Sequence, residues 1–217
     1  MFVICIEGPD GTGKSTQAKL LAEHFRSYDF QVYTSDVPLE GRTKRLIYWM
    51  LRNGLAKRMP ITFQAVNWFN RYWFQRFTMN TMPDDTIFIF SRWSLSSKIY
   101  GTIENVPQSL LRFMSKTLCQ PDFTFVLEGD FLTERDGKDS YEADTELQSR
   151  ARQLYDNAVK TDLSTYSISN EGTREEVTQK MIDVIESGND SGISMTGLLL
   201  WAVGHAKYKE IIANRKN

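Results

Sequence analysis

Gly8-Pro9-Asp10-Gly11-Thr12-Gly13-Lys14-Ser15 fits the spacing G-x-x-x-x-G-K-[ST], and it stands between the apolar run Phe2-Val3-Ile4-Cys5-Ile6 and a helical period that starts at Ser15. The strand before and the helix after are the context in which such a loop works. Glycines let successive backbone N–H groups curl into one concavity, and the positive end of the following helix adds to it, so an anion settles there. Lys14 is spaced to reach the β- and γ-phosphates of ATP, and the Ser15 hydroxyl to ligate Mg²⁺. The expected ATP-binding residues are therefore Gly8, Asp10, Gly11, Thr12, Gly13, Lys14, Ser15 and Thr16, with Lys14 catalytic and Ser15 the metal ligand.

Outward from this loop, short β-branched and aromatic runs alternate with longer stretches of three and four spacing. Strands are expected at Phe2 to Ile6, Gln31 to Thr34, Thr86 to Phe90, Phe123 to Leu127 and, more weakly, Thr165 to Ser169. Helices are expected at Ser15 to Phe25, Thr43 to Leu51, Thr62 to Met79, Pro107 to Leu118, Asp144 to Val159 and Thr173 to Ile185. Alternation of this kind predicts an α/β fold, a five-stranded parallel sheet with helices on both faces and ligands at the carboxyl ends of its strands. Two segments break it. Gly129 to Tyr141 is mostly polar and suits a flexible lid. Ser187 to Ser191 reads as a linker, so the chain divides into a P-loop α/β domain over 1–186 and an extension of unknown role over 187–217.

Composition removes other classes. The chain has 217 residues, 41% hydrophobic and 24% charged, which is the profile of an ordinary globular domain. Lys+Arg 26 against Asp+Glu 27 leaves a net charge of -1, so no bulk positive field drives nucleic-acid binding. The apolar stretch 197–203 falls short of the ~20 residues of a spanning helix, and no basic leader with an A-x-A site opens the chain. No nucleic-acid partner and no membrane partner are expected. Two cysteines, Cys5 and Cys119, make neither a disulfide framework nor a zinc cage, which suits a cytoplasmic protein. His24 and His205 lack metal-like spacing.

The residues around the loop say more. Glu7-Gly8-Pro9-Asp10-Gly11-Thr12-Gly13-Lys14-Ser15-Thr16-Gln17 resembles the E-G-x-D-G-x-G-K-S-T-Q loop of thymidylate kinases. Further stretches stand in that family's order: Val32-Tyr33-Thr34-Ser35-Asp36-Val37-Pro38, Asn70-Arg71, Ser91-Arg92-Trp93 followed by Ser96 and Tyr100, and Asp139-Ser140-Tyr141-Glu142. The resemblance covers roughly residues 1–186. It implies a P-loop nucleoside monophosphate kinase that uses ATP and Mg²⁺ to phosphorylate dTMP, and a homodimer joined through helices near Phe63 to Phe77. It places Asp10 beside the acceptor sugar and Arg135 of the lid near the transferring phosphates.

Phosphoryl transfer needs bidentate cations on the acceptor phosphate, and Arg71 and Arg92 are the candidates. Arg92 directly follows an apolar strand, at the edge where ligands bind. Tyr100 and Tyr141 are expected as walls of the nucleoside pocket. The departures from the family pattern mark a divergent member. Ser91 stands where the family has the Asp of D-R, Ser35 and Ser140 replace arginines, and Asn67 falls where a phenylalanine stacks on thymine. The expected substrate-binding set is Asp10, Asp36, Asn67, Arg71, Arg92, Tyr100 and Tyr141, and the catalytic set is Lys14, Arg92, Asp10 and Arg135. Two alternatives share the loop. One is a deoxyribonucleoside kinase with Asp36 as general base, and the other is a P-loop ATPase or nucleotide-binding regulator.

Overall fold

The expected strands form β1 (Phe2–Glu7), β2 (Val32–Asp36), β3 (Ile87–Ser91), β4 (Phe123–Glu128) and β5 (Thr165–Ser169), all parallel, in the order β2-β3-β1-β4-β5. The structure is a computed structural model and describes residues 1–129 and 144–187. The central strands β1, β3 and β4 are buried along nearly their whole length. Strands covered on both faces read as unbroken apolar runs. The edge strands β2 and β5 are partly exposed.

The helices are α1 (Lys14–Arg26), α2 (Arg42–Arg52), α3 (Leu55–Arg58), α4 (Pro60–Phe77), α5 (Ser94–Ile103), α6 (Gln108–Lys116), α7 (Thr145–Thr161) and α8 (Arg174–Ser187). On one face, Phe2, Ile4 and Ile6 of β1 pack with Leu21 and Phe25 of α1 and Met181 and Ile185 of α8. On the other, Val3 and Cys5 of β1 join Phe74 of α4 and Trp93, while Val126 of β4 packs with α2, α4, α5 and α7. From β1 the chain crosses β3 to build β2, whereas β4 lies on the opposite side of β1. The carboxyl end of β1 is therefore the crevice where an open parallel sheet binds ligands.

Two helices were not evident from periodicity. α3 is a single turn. α5 carries Ser94, Ser96, Ser97 and Gly101, poor helix formers, and is held by tertiary packing. A Cβ on Gly101 would lie 2.6 Å from Leu111 Cδ2 of α6, so glycine sets how closely α5 and α6 approach.

The helix expected at Thr62 to Met79 is apolar on most of its circumference, as its sequence indicates, but it is turned opposite to an ordinary amphipathic helix. Its inward side holds Gln64, Asn67, Asn70 and Arg71 between Phe63 and Phe74, while Ile61, Phe69, Tyr72, Trp73 and Phe77 are exposed. Buried polar groups of this density require partners or a ligand. Of the expected lid only Gly129, and of the expected extension only Ser187, which ends α8, belong to the described residues. No described helix is long and apolar enough to cross a membrane.

Candidate active site

The loop of residues 8–15 is bent by its glycines. Gly8 has φ 130°, and a Cβ there would meet the Leu127 carbonyl oxygen at 2.7 Å, so the loop presses directly on β4. Gly13, at φ 90°, starts α1 in the left-handed region. Gly11, Gly13, Lys14, Ser15 and Thr16 border a cleft of about 440 Å³. Gly8 and Thr12 stand behind it: Thr12 is buried and its hydroxyl donates to the Pro9 carbonyl at 3.0 Å. Lys14 Nζ also donates to the Pro9 carbonyl, and it lies 4.0 Å from Asp10 Oδ1.

Strand parity explains the next layer. Side chains alternate across a strand, so Glu7 continues the row of Val3 and Cys5 toward α5 and α7. There it is fully buried and accepts from the Trp93 N–H at 2.7 Å, the Ser96 hydroxyl, and the Tyr155 hydroxyl at 3.2 Å. Arg92 follows β3 with φ 74°, its N–H held by the Ile6 carbonyl at 2.9 Å. Its guanidinium pairs with Asp10 Oδ1, reaches Ser96 Oγ at 3.3 Å and Tyr155 Oη at 3.4 Å, and lies 5.4 Å from the Tyr100 ring centre.

Asp10 also accepts from Gln148 Nε2 at 3.2 Å and Tyr100 Oη at 3.4 Å. Burial pushes the Asp10 carboxyl up, but Arg92 and Lys14 outweigh it and hold the group below the usual carboxylate range. Burial alone would lower Arg92; the Asp10 carboxylate raises it well above an ordinary arginine. Both groups stay charged wherever a phosphate donor is used.

The other side of the same cleft is bordered by Asp36, Gln64, Asn67, Arg71, Ser91 and Tyr100. Arg71 is only 3% exposed. It donates to Ser97 Oγ at 2.9 Å, and its Nε has no hydrogen-bond partner among the described residues. Burial drives this guanidinium down to about 10, Glu7 opposing and Arg92 adding to the fall. An anion beside Arg71 and Arg92 would relieve that repulsion. Asn70, its neighbour on α4, does not enter the cleft: its amide takes both the N–H and the carbonyl of Leu39, at 2.8 and 3.0 Å, and clamps the chain after β2.

The structure thus brings together Asp10, Gly11, Gly13, Lys14, Ser15, Thr16, Asp36, Asn67, Arg71, Arg92 and Tyr100 of the expected set around one cleft. Arg135 and Tyr141 lie outside the described residues. Glu7, Gln64, Gln148 and Tyr155 were not singled out. The seven-residue spacing of Gln148 and Tyr155 puts them on one face of α7, a signal available in sequence, but nothing local tells that this face meets Asp10 and Arg92.

A family model described as "Thymidylate kinase" matches residues 6–182. The chain is 25% identical to a probable thymidylate kinase of Thermococcus kodakarensis over 169 residues, 71% of this chain and 82% of that protein. To one of Pyrobaculum aerophilum it is 27% identical over 163 residues, 71% of this chain and 81% of that protein. In fold it is similar to a thymidylate kinase from Candida albicans, with TM-score 0.70 and 21% identity over 86% of this chain and 91% of that one. The matched span runs from the end of β1 into α8 and takes in every described residue that borders the cleft, so the chain belongs to the thymidylate kinase family.

Proposed function

We propose that the protein transfers the γ-phosphoryl group of ATP to the 5′-phosphate of dTMP, giving dTDP and ADP. The observation that carries this reading is that the glycine-rich loop of residues 8–15 and two arginines, Arg92 and Arg71, border one cleft. The loop N–H groups and Lys14 hold the donor phosphates. Arg92, fixed by Asp10, Ser96 and Tyr155, grips the acceptor phosphate with Arg71 beside it, so that the attacking oxygen lies in line with the bond to be broken. One acceptor phosphate oxygen bonds to γ-phosphorus as the bond from γ-phosphorus to the bridging oxygen of ADP breaks. That acceptor oxygen is already anionic, so no general base is required.

Mg²⁺ fits the donor set, because it keeps several waters and takes only one or two protein oxygens beside substrate phosphates; Ser15 Oγ at the first turn of α1 would hold it. When bound, the ion neutralises charge building on the donor phosphates. Among the described residues no group of three His, Cys, Asp or Glu side chains forms a metal cage.

The exposed side of α4 supports a homodimer. Phe69 and Trp73 lie 5.6 Å apart by ring centres and Trp73 and Phe77 4.2 Å, all exposed, and a contiguous apolar patch on a soluble protein marks an interaction site. The free thiols Cys5 and Cys119 suit the cytoplasm.

The test is incubation with ATP, Mg²⁺ and each common nucleoside or nucleoside monophosphate, with the products resolved. Conversion of dTMP to dTDP is expected. Phosphorylation of thymidine but not dTMP would instead favour Asp36, which borders the cleft, as a base toward a 5′-hydroxyl.

A further inference from the structure

Of the carboxamides on the inward side of α4, two border the cleft, and one of these, Asn67, stands where an apolar wall for thymine is expected. Gln64 and Asn67 are 3% and 8% exposed, and both border the cleft. Asn67 Nδ2 donates to the Phe63 carbonyl at 3.0 Å. That bond fixes the amide, because a carbonyl only accepts, and it leaves Oδ1 as an acceptor. One turn back, the Gln64 side chain makes no hydrogen bond to any described residue, so its amide can turn either way.

We propose that this stripe reads the base of the acceptor by its hydrogen-bonding edge and selects the lactam group, –C(=O)–NH–, shared by thymine, uracil and guanine. The inference rests on the proposed kinase reading and deepens it. Along α4 the order is acceptor at Asn67 and either donor or acceptor at Gln64. Thymine and uracil present carbonyl, N–H, carbonyl along their edge; guanine presents carbonyl, N–H, amino. The ring N–H of each meets Asn67 Oδ1, and Gln64 turns to donate to the pyrimidine O2 or to accept from the guanine amino group. Cytosine and adenine place a ring nitrogen without hydrogen where Asn67 requires a donor. Buried polar groups left unpaired in this way reject a ligand strongly.

The test is kcat/KM for dTMP, dUMP, dGMP, dCMP and dAMP at saturating ATP and Mg²⁺, on wild type, Asn67→Leu and Gln64→Glu. Wild type should use dTMP, dUMP and dGMP within about tenfold of one another, and dCMP and dAMP at least ~100-fold less well. Gln64→Glu should raise the dGMP:dTMP ratio at least ~10-fold, since a carboxylate still accepts from the guanine amino group but repels the thymine O2. Asn67→Leu should lower all three lactam substrates by at least about tenfold.

Wild type confined to dTMP, use of dCMP as readily as dTMP, or an unmoved ratio in folded Gln64→Glu overturns the proposal while the kinase reading stands. Absence of transfer to every monophosphate overturns the kinase reading itself. The wild-type profile is decisive even if a variant does not fold.

Discussion

Arg71→Met should make the unliganded protein more stable while disabling it. The wild-type guanidinium is 3% exposed, and burial takes its pKa from 12.5 to about 10. At ~1.4 kcal/mol per tenfold, that fall leaves the charge ~3 kcal/mol less favourable in the folded protein than in the unfolded chain. Methionine has similar length and carries no charge, so substitution removes this cost but also the bond to Ser97, worth ~1 kcal/mol. The net expectation is a gain of ~2 kcal/mol, which for a domain of this size raises Tm by roughly 4–8 °C. Buried charges replaced by packed apolar groups behave in this direction.

The same substitution should lower kcat/KM for a monophosphate at least ~100-fold, because a buried charge-assisted contact to the acceptor is lost. The assay pairs thermal and urea unfolding of both proteins with steady-state kinetics. A saturating monophosphate should stabilise wild type more than the variant, since only wild type gains from pairing the buried cation. A variant destabilised by more than ~1 kcal/mol would refute the reasoning, as it would show that the contacts of Arg71 outweigh the cost of burying it.

Lys14→Ala should abolish transfer with the fold retained, since its charge serves the donor phosphates; near-normal turnover in a folded variant would remove the loop assignment. Asp10 is held below the ordinary carboxylate range, so its stabilising pairing is fully present above the unfolded value of ~3.9 and is lost as pH falls through the lower folded value. Melting temperatures measured from pH 3 to 7 should therefore drop less steeply at the acid end for Asp10→Asn than for wild type, and equal slopes would contradict the pairing. Asn70→Ala should cost ~2–4 kcal/mol of unfolding free energy, because the buried N–H and carbonyl of Leu39 both lose their partner. A loss under ~1 kcal/mol in urea titration would mean that other groups satisfy Leu39.

Residues 8–15 and the five apolar runs were legible in the sequence because each is local. A glycine-rich turn, a strand buried on both faces and a helical period are written within a dozen neighbouring residues, and the parallel direction of the strands follows from their alternation with helices. Arg92 was legible too, since it directly follows a strand whose carboxyl end must face the ligand. Sequence did not say where α4 points. Its period places Gln64, Asn67 and Arg71 on one side and Phe69, Trp73 and Phe77 on the other, but hydrophobicity alone assigns the wrong side to the interior. Tertiary structure decided otherwise, because the cleft needs polar walls.

Glu7 and Tyr155, 148 residues apart, meet only once β1 and α7 are packed, and the Asp10 carboxylate finds Gln148 across 138. No local pattern encodes those meetings. A helix period determines which side chains share a face, while the partner of that face is set by how the sheet orders its strands and which helices then have room to cover it.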